Sequence, residues 1–254
     1  MTVPSAFSLA GKRIVVTGAN TGIGQGIAVS VARTGGTVIG VGRSPMEETA
    51  AMVEAAGAAF HPVRCDLSDT AAARAMLDAV WSDHGPVDGL VNNAGIIRRA
   101  DALDFAEADW DAVMDVNLKT LFFLAQAFGR RLTAEGRQGR IVNIASVLSF
   151  QGGIRVASYT ASKHGVLGIT RLLACEWAAK GINVNAIAPG YVVTNNTDAL
   201  RADPDRSAAI LGGIPAGRWG APEDIGDAAI FLLAPASNYV HGAVIPVDGG
   251  WLAR

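Results

Sequence analysis

The sequence predicts an α/β fold, a single domain built on a doubly wound parallel sheet of about seven strands. Three observations carry this expectation. Short runs rich in valine and isoleucine alternate with longer helical stretches along the whole chain, the pattern of βαβ units. The runs are continuously apolar, as strands covered on both faces are. A glycine-rich turn, Gly18 to Gly24, joins the first run directly to the first helix.

Residues 13–17 read as the first strand, and a helix follows over about 22–34. Residues 37–41 are the second strand, after which Pro45 presets the backbone for a helix start. Residues 59–65 make the third strand, and 69–81 a helix with Ser68 or Asp69 as its N-cap. A short fourth strand covers 89–92. A long helix runs over roughly 110–135 and ends near Gly136. The fifth strand is 140–144, and the next helix, 159–179, is stopped by Gly181. Residues 182–187 and 243–247 complete the sheet. Residues 194–222 break the rhythm, being polar in places and holding Pro204, Gly212, Gly213, Pro215, Gly217 and Gly220. Such a stretch between the last two strands predicts a mobile lid over a substrate site.

A length of 254 residues suits one large domain with a substantial core. A net charge of −2 excludes nucleic-acid binding driven by bulk charge and gives no reason to expect an anionic membrane surface. Cys65 and Cys175 are too few for a disulfide framework and fit a reducing cytoplasm. The opening Met1-Thr2-Val3-Pro4-Ser5 lacks the basic region and apolar core of a signal peptide. No run approaches the ~18 uninterrupted apolar residues that a membrane span needs. A soluble, cytoplasmic protein is expected. The four histidines, His61, His84, His164 and His241, show no metal-ligand spacing, so no metal is expected.

Glycines after a first strand let a backbone approach a pyrophosphate, and the following helix N-terminus offers free N–H groups and partial positive charge. The same glycines could serve packing alone. Their spacing here is Thr17-Gly18, three residues, Gly22, one residue, Gly24. This T-G-x-x-x-G-x-G pattern resembles that of the short-chain dehydrogenase/reductase family. Further pieces agree in order along the chain: Asn92-Asn93-Ala94-Gly95, Asn117, Ser146, Tyr159 with Lys163, Pro189-Gly190 and Thr194. The resemblance spans essentially the whole chain and implies a Rossmann-type oxidoreductase using NAD or NADP, commonly a homotetramer. The apolar stretches Leu121-Phe122-Phe123-Leu124 and Leu172-Leu173 are compatible with subunit contacts and equally with core packing.

Tyr159 and Lys163 lie four apart on a predicted helix and share a face. Alone they could be a surface pair. A phenol titrates near ~10, and a nearby ammonium favours its ionised form, as general acid–base work near neutral pH requires. The resemblance makes Tyr159 the acid/base and gives Lys163 the tuning of its pKa and a ribose contact. It makes Ser146 the group that polarises the carbonyl and Asn117 part of a proton relay. Asn117 could instead satisfy broken helical hydrogen bonds.

For the dinucleotide, the resemblance implies Gly18, Asn20, Thr21, Gly22, Ile23 and Gly24 at the pyrophosphate turn. Asp66 and Leu67 would lie at the adenine, and Asn93, Ala94 and Gly95 beside the adenine ribose. Tyr159 and Lys163 would sit at the nicotinamide ribose, and Pro189, Gly190, Val192 and Thr194 near the carboxamide. Asp66 could alternatively cap a helix. The acid that NAD-binding chains place after the second strand is replaced by Gly42, followed by Arg43, which could pair with a 2′-phosphate. Gly42-Arg43 thus leans to NADP, but Thr21 stands where many NADP-using relatives carry a base, and NAD is usual among the members this chain most resembles, so the signals conflict and the expectation is NAD or NADP.

Within the family the resemblance runs to members acting on deoxy-keto-gluconates and related uronate-derived sugar acids. It rests on segments such as residues 97–103, 148–156 and 214–220. Arg98, Arg99 and Arg155 could bind a substrate carboxylate, and Gln151 and Asn196 could bind hydroxyls, with Ser146 and Tyr159 at the reacting carbon. The arginines could equally be surface or interface charges. Alternatives are a gluconate dehydrogenase, a 3-oxoacyl thioester reductase of the same family, or a dinucleotide-sensing module without turnover.

Overall fold

The computed structural model describes residues 3–254. Seven parallel strands form one sheet: β1 (Arg13–Thr17), β2 (Thr37–Gly42), β3 (Phe60–Arg64), β4 (Gly89–Asn92), β5 (Gly139–Ile144), β6 (Ile182–Pro189) and β7 (Val244–Val247). Their order is β3-β2-β1-β4-β5-β6-β7. The chain winds outward from β1 to β3, returns to pair β4 beside β1, and winds outward the other way. Neighbouring strand ends therefore diverge between β1 and β4, where open α/β sheets bind ligands. Val15, Val16, Leu90, Val91, Ile141 and Val142 of the central strands are buried, as their unbroken apolar runs require.

One face of the sheet is covered by α1 (Gly22–Arg33), α2 (Glu47–Ala55) and α9 (Pro222–Leu233). The other is covered by α3 (Thr70–His84), α5 (Leu121–Ala134) and α6 (Ala157–Trp177). Phe128 is fully buried and meets Trp81 edge-on at 6.0 Å, joining α5 to α3. Asp69 caps α3 by accepting the N–H groups of Ala71 and Ala72 at 2.9 and 3.0 Å. Among the described residues no helix is long and apolar enough to cross a membrane.

Three details depart from the sequence reading. Pro45 does not open α2; Met46 takes the cap position and the helix starts at Glu47. The expected long helix divides into α4 (Glu107–Met114), a π-helical turn (Asp115–Thr120) and α5. α9 has no counterpart in the sequence reading, although Pro222 at its first turn and the apolar run Ile225–Leu233 signal it. Asp224 holds its start by accepting the N–H of Ala221 at 2.7 Å. Residues 194–222 contain two short helices, α7 (Asp198–Ala202) and α8 (Pro204–Gly212).

α1 and α9 approach closely because glycines face each other's helix. A side-chain carbon at Gly26 would sit 2.6 Å from Pro222, and Ser30 donates a 3.0 Å hydrogen bond to Asp227. Gly26→Ala should therefore overpack this seam and cost about 1–3 kcal/mol, read as a lower urea midpoint at unchanged slope.

Candidate active site

The site is built at the carboxyl ends of β1, β4, β5 and β6. Thr17 ends β1 and fastens the two loops above it. Its hydroxyl accepts the N–H groups of Asn93 and Ala94, both at 3.0 Å. The Asn93 amide donates back to the carbonyl of Thr17 at 2.8 Å. Gly18 (φ +67°) and Gly22 (φ +57°) take left-handed backbone that side chains disfavour, and this wraps the turn around the start of α1. Gly24 lies against the Gly18 carbonyl with no room for a side-chain carbon. Thr21 occupies the N-cap of α1 without making a side-chain cap bond. The first N–H groups of the helix are thereby left for an anion.

A cleft of about 510 Å³ runs past this turn, lined there by Gly18, Asn20, Thr21 and Ile23. Gly42, Arg43, Asp66 and Leu67 line its far end, and Asn93, Ala94 and Gly95 its middle. Ser146, Tyr159, Lys163, Pro189, Gly190, Val192 and Thr194 line its near end. Gly22 and Gly24 shape the turn from behind; the Thr194 methyl would lie 3.1 Å from a side-chain carbon at Gly22. Asp66 does not cap α3. Its Oδ1 accepts the N–H and the hydroxyl of Ser68, which hold its carboxyl below the usual range, with Arg43 adding to the effect. Ser68 and Ser44, on the same walls, were not anticipated from the sequence.

α6 carries Tyr159 and Lys163 on one face, as their spacing predicts, with the Lys163 ammonium 5.5 Å from the Tyr159 ring centre. Lys163 is buried and donates to the carbonyl of Ile144 at the end of β5 at 2.6 Å. Burial lowers its pKa from 10.5 to about 8. Burial also holds the Tyr159 phenol above its ordinary value of 10, against the Ser146 hydroxyl and Arg99 guanidinium, which both pull it down. Desolvation thus dominates the phenol, and the groups that draw it down are Ser146 and Arg99 and not the expected ammonium. Ser146 lies at the end of β5, and its Oγ also accepts the N–H of Leu148 at 3.1 Å.

Asn117 sits in the π-helical turn. Its Oδ1 accepts the N–H of Ile96 at 2.8 Å, and its Nδ2 donates to the Ile96 carbonyl at 3.0 Å and to Ser162 Oγ at 3.3 Å. Its amide therefore clamps the loop after β4 to α6 instead of mending its own helix.

A second cavity of about 630 Å³ opens beyond Ser146 and Tyr159. Gln151 and Asn196 line it, as expected of hydroxyl-binding groups. Its cations are Arg99 and Arg206, and its lining contains no Asp or Glu. Arg98 lines the first cleft instead, paired with Asp109 at 3.1 Å. Arg155 lines neither; it pairs with Asp101 at 3.2 Å, on a left-handed backbone (φ +64°). Arg206, Tyr191 and Trp251 were missed. They lie far along the chain, and only the fold brings them to this wall.

A glycine turn at a free helix N-terminus, an extended cleft at the sheet's switch point, and a hydroxyl, phenol and ammonium at its end define a dinucleotide-dependent oxidoreductase. The walls fit such a group: the free N–H groups at the start of α1 border the cleft, and the turn keeps its tight shape because side-chain carbons at Gly18 and Gly24 would strike Asn93 and the Gly18 carbonyl. The comparisons agree. A family model described as enoyl-(acyl carrier protein) reductase matches residues 18–252. The chain is 56% identical over 250 residues to the 2-dehydro-3-deoxy-D-gluconate 5-dehydrogenase of Escherichia coli K12, covering 98% of this chain and 99% of that one. A crystal structure from Agrobacterium tumefaciens, proposed as a 2-deoxy-D-gluconate 3-dehydrogenase and holding NADP, matches with a TM-score of 0.94 at 59% identity, covering 99% of this chain and 100% of that one. A gluconate 5-dehydrogenase from Burkholderia cenocepacia, crystallised with NADP and tartrate, matches with a TM-score of 0.92 at 38% identity over 98% of both chains. The chain belongs to the short-chain dehydrogenase/reductase family.

Two predictions follow from this geometry. Tyr159→Phe should lower turnover on the order of 10²- to 10⁴-fold while leaving dinucleotide affinity, measured by fluorescence titration, within about twofold. The second concerns Lys163, which binds fewer protons in the folded protein than in the unfolded chain between pH 8 and 10.5. Its desolvation cost is full below pH 8 and is relieved as pH rises through that window. In a Tyr159→Phe background, which removes the phenol's own titration, the protein with lysine at 163 should gain stability over Lys163→Met by up to roughly 3 kcal/mol across it. Urea unfolding at each pH reads this, and a constant difference would show the ammonium to be hydrated.

Proposed function

We propose that this chain is an NADP-preferring dehydrogenase that interconverts a secondary alcohol and a ketone on a deoxy-keto-gluconate or a related uronate-derived sugar acid. The single observation that carries the substrate class is the second cavity, which adjoins Ser146 and Tyr159 and offers two guanidinium groups, amide side chains and no acid. That lining suits a small, hydroxylated anion. The names of the relatives, 2-dehydro-3-deoxy-D-gluconate and gluconate dehydrogenases, support the same class. A 3-oxoacyl thioester reductase and a sensing module without turnover are weaker readings. The first has no use for the paired cations, and the second none for an intact Asn117, Ser146, Tyr159 and Lys163.

The bound nicotinamide would supply or accept the hydride. The chain's own residues handle the oxygen and its proton. The Tyr159 hydroxyl holds the proton at the substrate oxygen, and Ser146 Oγ donates a second hydrogen bond to it. Lys163 Nζ, on the same face of α6, would hold the nicotinamide ribose and favour the phenolate. Asn117 keeps the turn around Ile96 in place and is assigned the outward leg of the proton relay. Residues 194–222, with α7 and α8, act as a mobile lid that excludes water once substrate is seated.

Cofactor preference rests on Gly42 and Arg43. No carboxylate stands at the end of β2 to select ribose hydroxyls, and Arg43 lies on that wall with no ion-pair partner among the described residues. NADP in the Agrobacterium tumefaciens and Burkholderia cenocepacia structures supports this choice. The enzyme is further read as a cytoplasmic homotetramer; the partly exposed Trp110 and Leu172 offer apolar surface for subunit contact.

A panel of sugar acids, neutral polyols and acyl thioesters, followed by nicotinamide absorbance with each cofactor, tests the proposal. The expected outcome is preference for a six-carbon keto- or deoxy-acid and for NADP(H). Arg43→Ala should lower the NADP-over-NAD ratio of kcat/KM about 10-fold or more. Preference for a thioester would overturn the substrate class, and an unmoved ratio would remove Arg43 from phosphate binding.

A further inference from the structure

Partners sort the arginines around the catalytic centre. Arg98 is held by Asp109 and Arg155 by Asp101. Arg99 donates to the carbonyl of Asn196 at 3.1 Å, tying the loop after β4 to the start of the lid. Arg206, on α8, is different. It lines the second cavity, and its side chain has no hydrogen-bond or ion-pair partner among the described residues. Only its backbone is engaged, donating to the Asp203 cap at 3.1 Å.

Tyr191 lines the same wall. Its ring is fixed by edge-on contacts with Trp219 at 5.7 Å and Trp251 at 4.8 Å. Burial pushes its phenol up, and Arg206 draws it down, which places the two groups within electrostatic reach. A neutral phenol is a hydrogen-bond donor, and an unclaimed guanidinium is a fork for an oxyanion. Both border the second cavity and neither borders the dinucleotide cleft, so the anion they suit is not a cofactor phosphate.

We propose that Arg206 and the Tyr191 hydroxyl together form the subsite that reads the substrate carboxylate, on the wall away from the dinucleotide. The proposal rests on the sugar-acid reading above and adds to it the residues that impose it. Because Arg206 rides on α8, carboxylate binding draws the lid onto the substrate, whereas Arg98 and Arg155 stay with their aspartates.

The test compares the wild type with Arg206→Gln on a six-carbon sugar acid and on the neutral polyol of the same length. Binding of the acid is followed in parallel by tryptophan fluorescence, since Trp251 borders the cavity. The expected result is a rise in KM for the acid on the order of 10- to 100-fold with kcat within a few-fold. The acid-over-polyol ratio of kcat/KM should collapse. Arg206→Lys should recover part of the loss, keeping the charge without the fork. NADP affinity, measured on the same preparations, reports that the variants are folded. If the wild type prefers the acid and Arg206→Gln leaves its KM within twofold, or weakens acid and polyol alike, the subsite is refuted and the sugar-acid reading stands. If the wild type itself prefers no acid and its fluorescence does not respond to one, both fall together.

Discussion

The structure depends on keeping one ammonium inside the protein. Lys163 sits beneath the phenol of Tyr159 with a single polar partner, the Ile144 carbonyl. Desolvation there is unfavourable enough to bring its pKa to about 8. A flexible lysine would escape to water if α6 could shift, so the surroundings hold α6 in place. Ser149 donates to the Lys163 carbonyl at 2.6 Å. Asn92 donates to Asn143, and Asn143 to Thr170, each at 2.9 Å, running from β4 through β5 to α6. Asn117 reaches α6 from the other side through Ser162. These buried polar links sit among apolar strands, where each is expensive unless satisfied, and together they specify one register of helix on sheet.

Charge is distributed along the site by a second rule, which is whether a carboxylate already neutralises each cation. Along the dinucleotide cleft, unsatisfied N–H groups of α1 and an unpaired Arg43 offer positive potential without burying a charge. In the second cavity Arg99 and Arg206 do the same for a smaller anion. Between them lie Ser146 and Tyr159, which border both spaces together with Gly190, Asn196 and Thr197, so two ligands seated in the two cavities would meet beside the hydroxyl and the phenol.

Much of this was legible in the sequence because it is local. The glycine spacing, the four-residue interval from Tyr159 to Lys163 and the apolar strand runs need no tertiary information, and each lies where expected. What was not legible depends on partners distant in the chain. Nothing near Arg155 announces that Asp101, from another loop, will hold it, or that Arg206 will be left alone. The π-helical turn could not be read either, since its reason is the Ile96 backbone that Asn117 must reach. Pro222 and the apolar run after it mark α9, but the surface it packs on belongs to α1, about two hundred residues away in the chain.

The phenol and the ammonium are tuned in opposite senses from the acid–base pair they serve. In the protein alone burial favours neutral tyrosine, and it weakens the lysine's hold on its proton. The pair therefore does not carry a phenolate at neutral pH by itself. An oxidised nicotinamide carries a positive charge, and one held near the Tyr159 oxygen would favour the phenolate. The same desolvation that holds the phenol protonated would strengthen the effect of such a charge, because the effective dielectric is low around a buried phenol. Burial alone thus sets the phenol in its neutral state. Arg99 contributes in advance, pulling the phenol down from the substrate side through a guanidinium anchored on Asn196. The neutral phenol that burial favours is the acid that ketone reduction needs, and alcohol oxidation needs the phenolate that a positively charged hydride acceptor would favour.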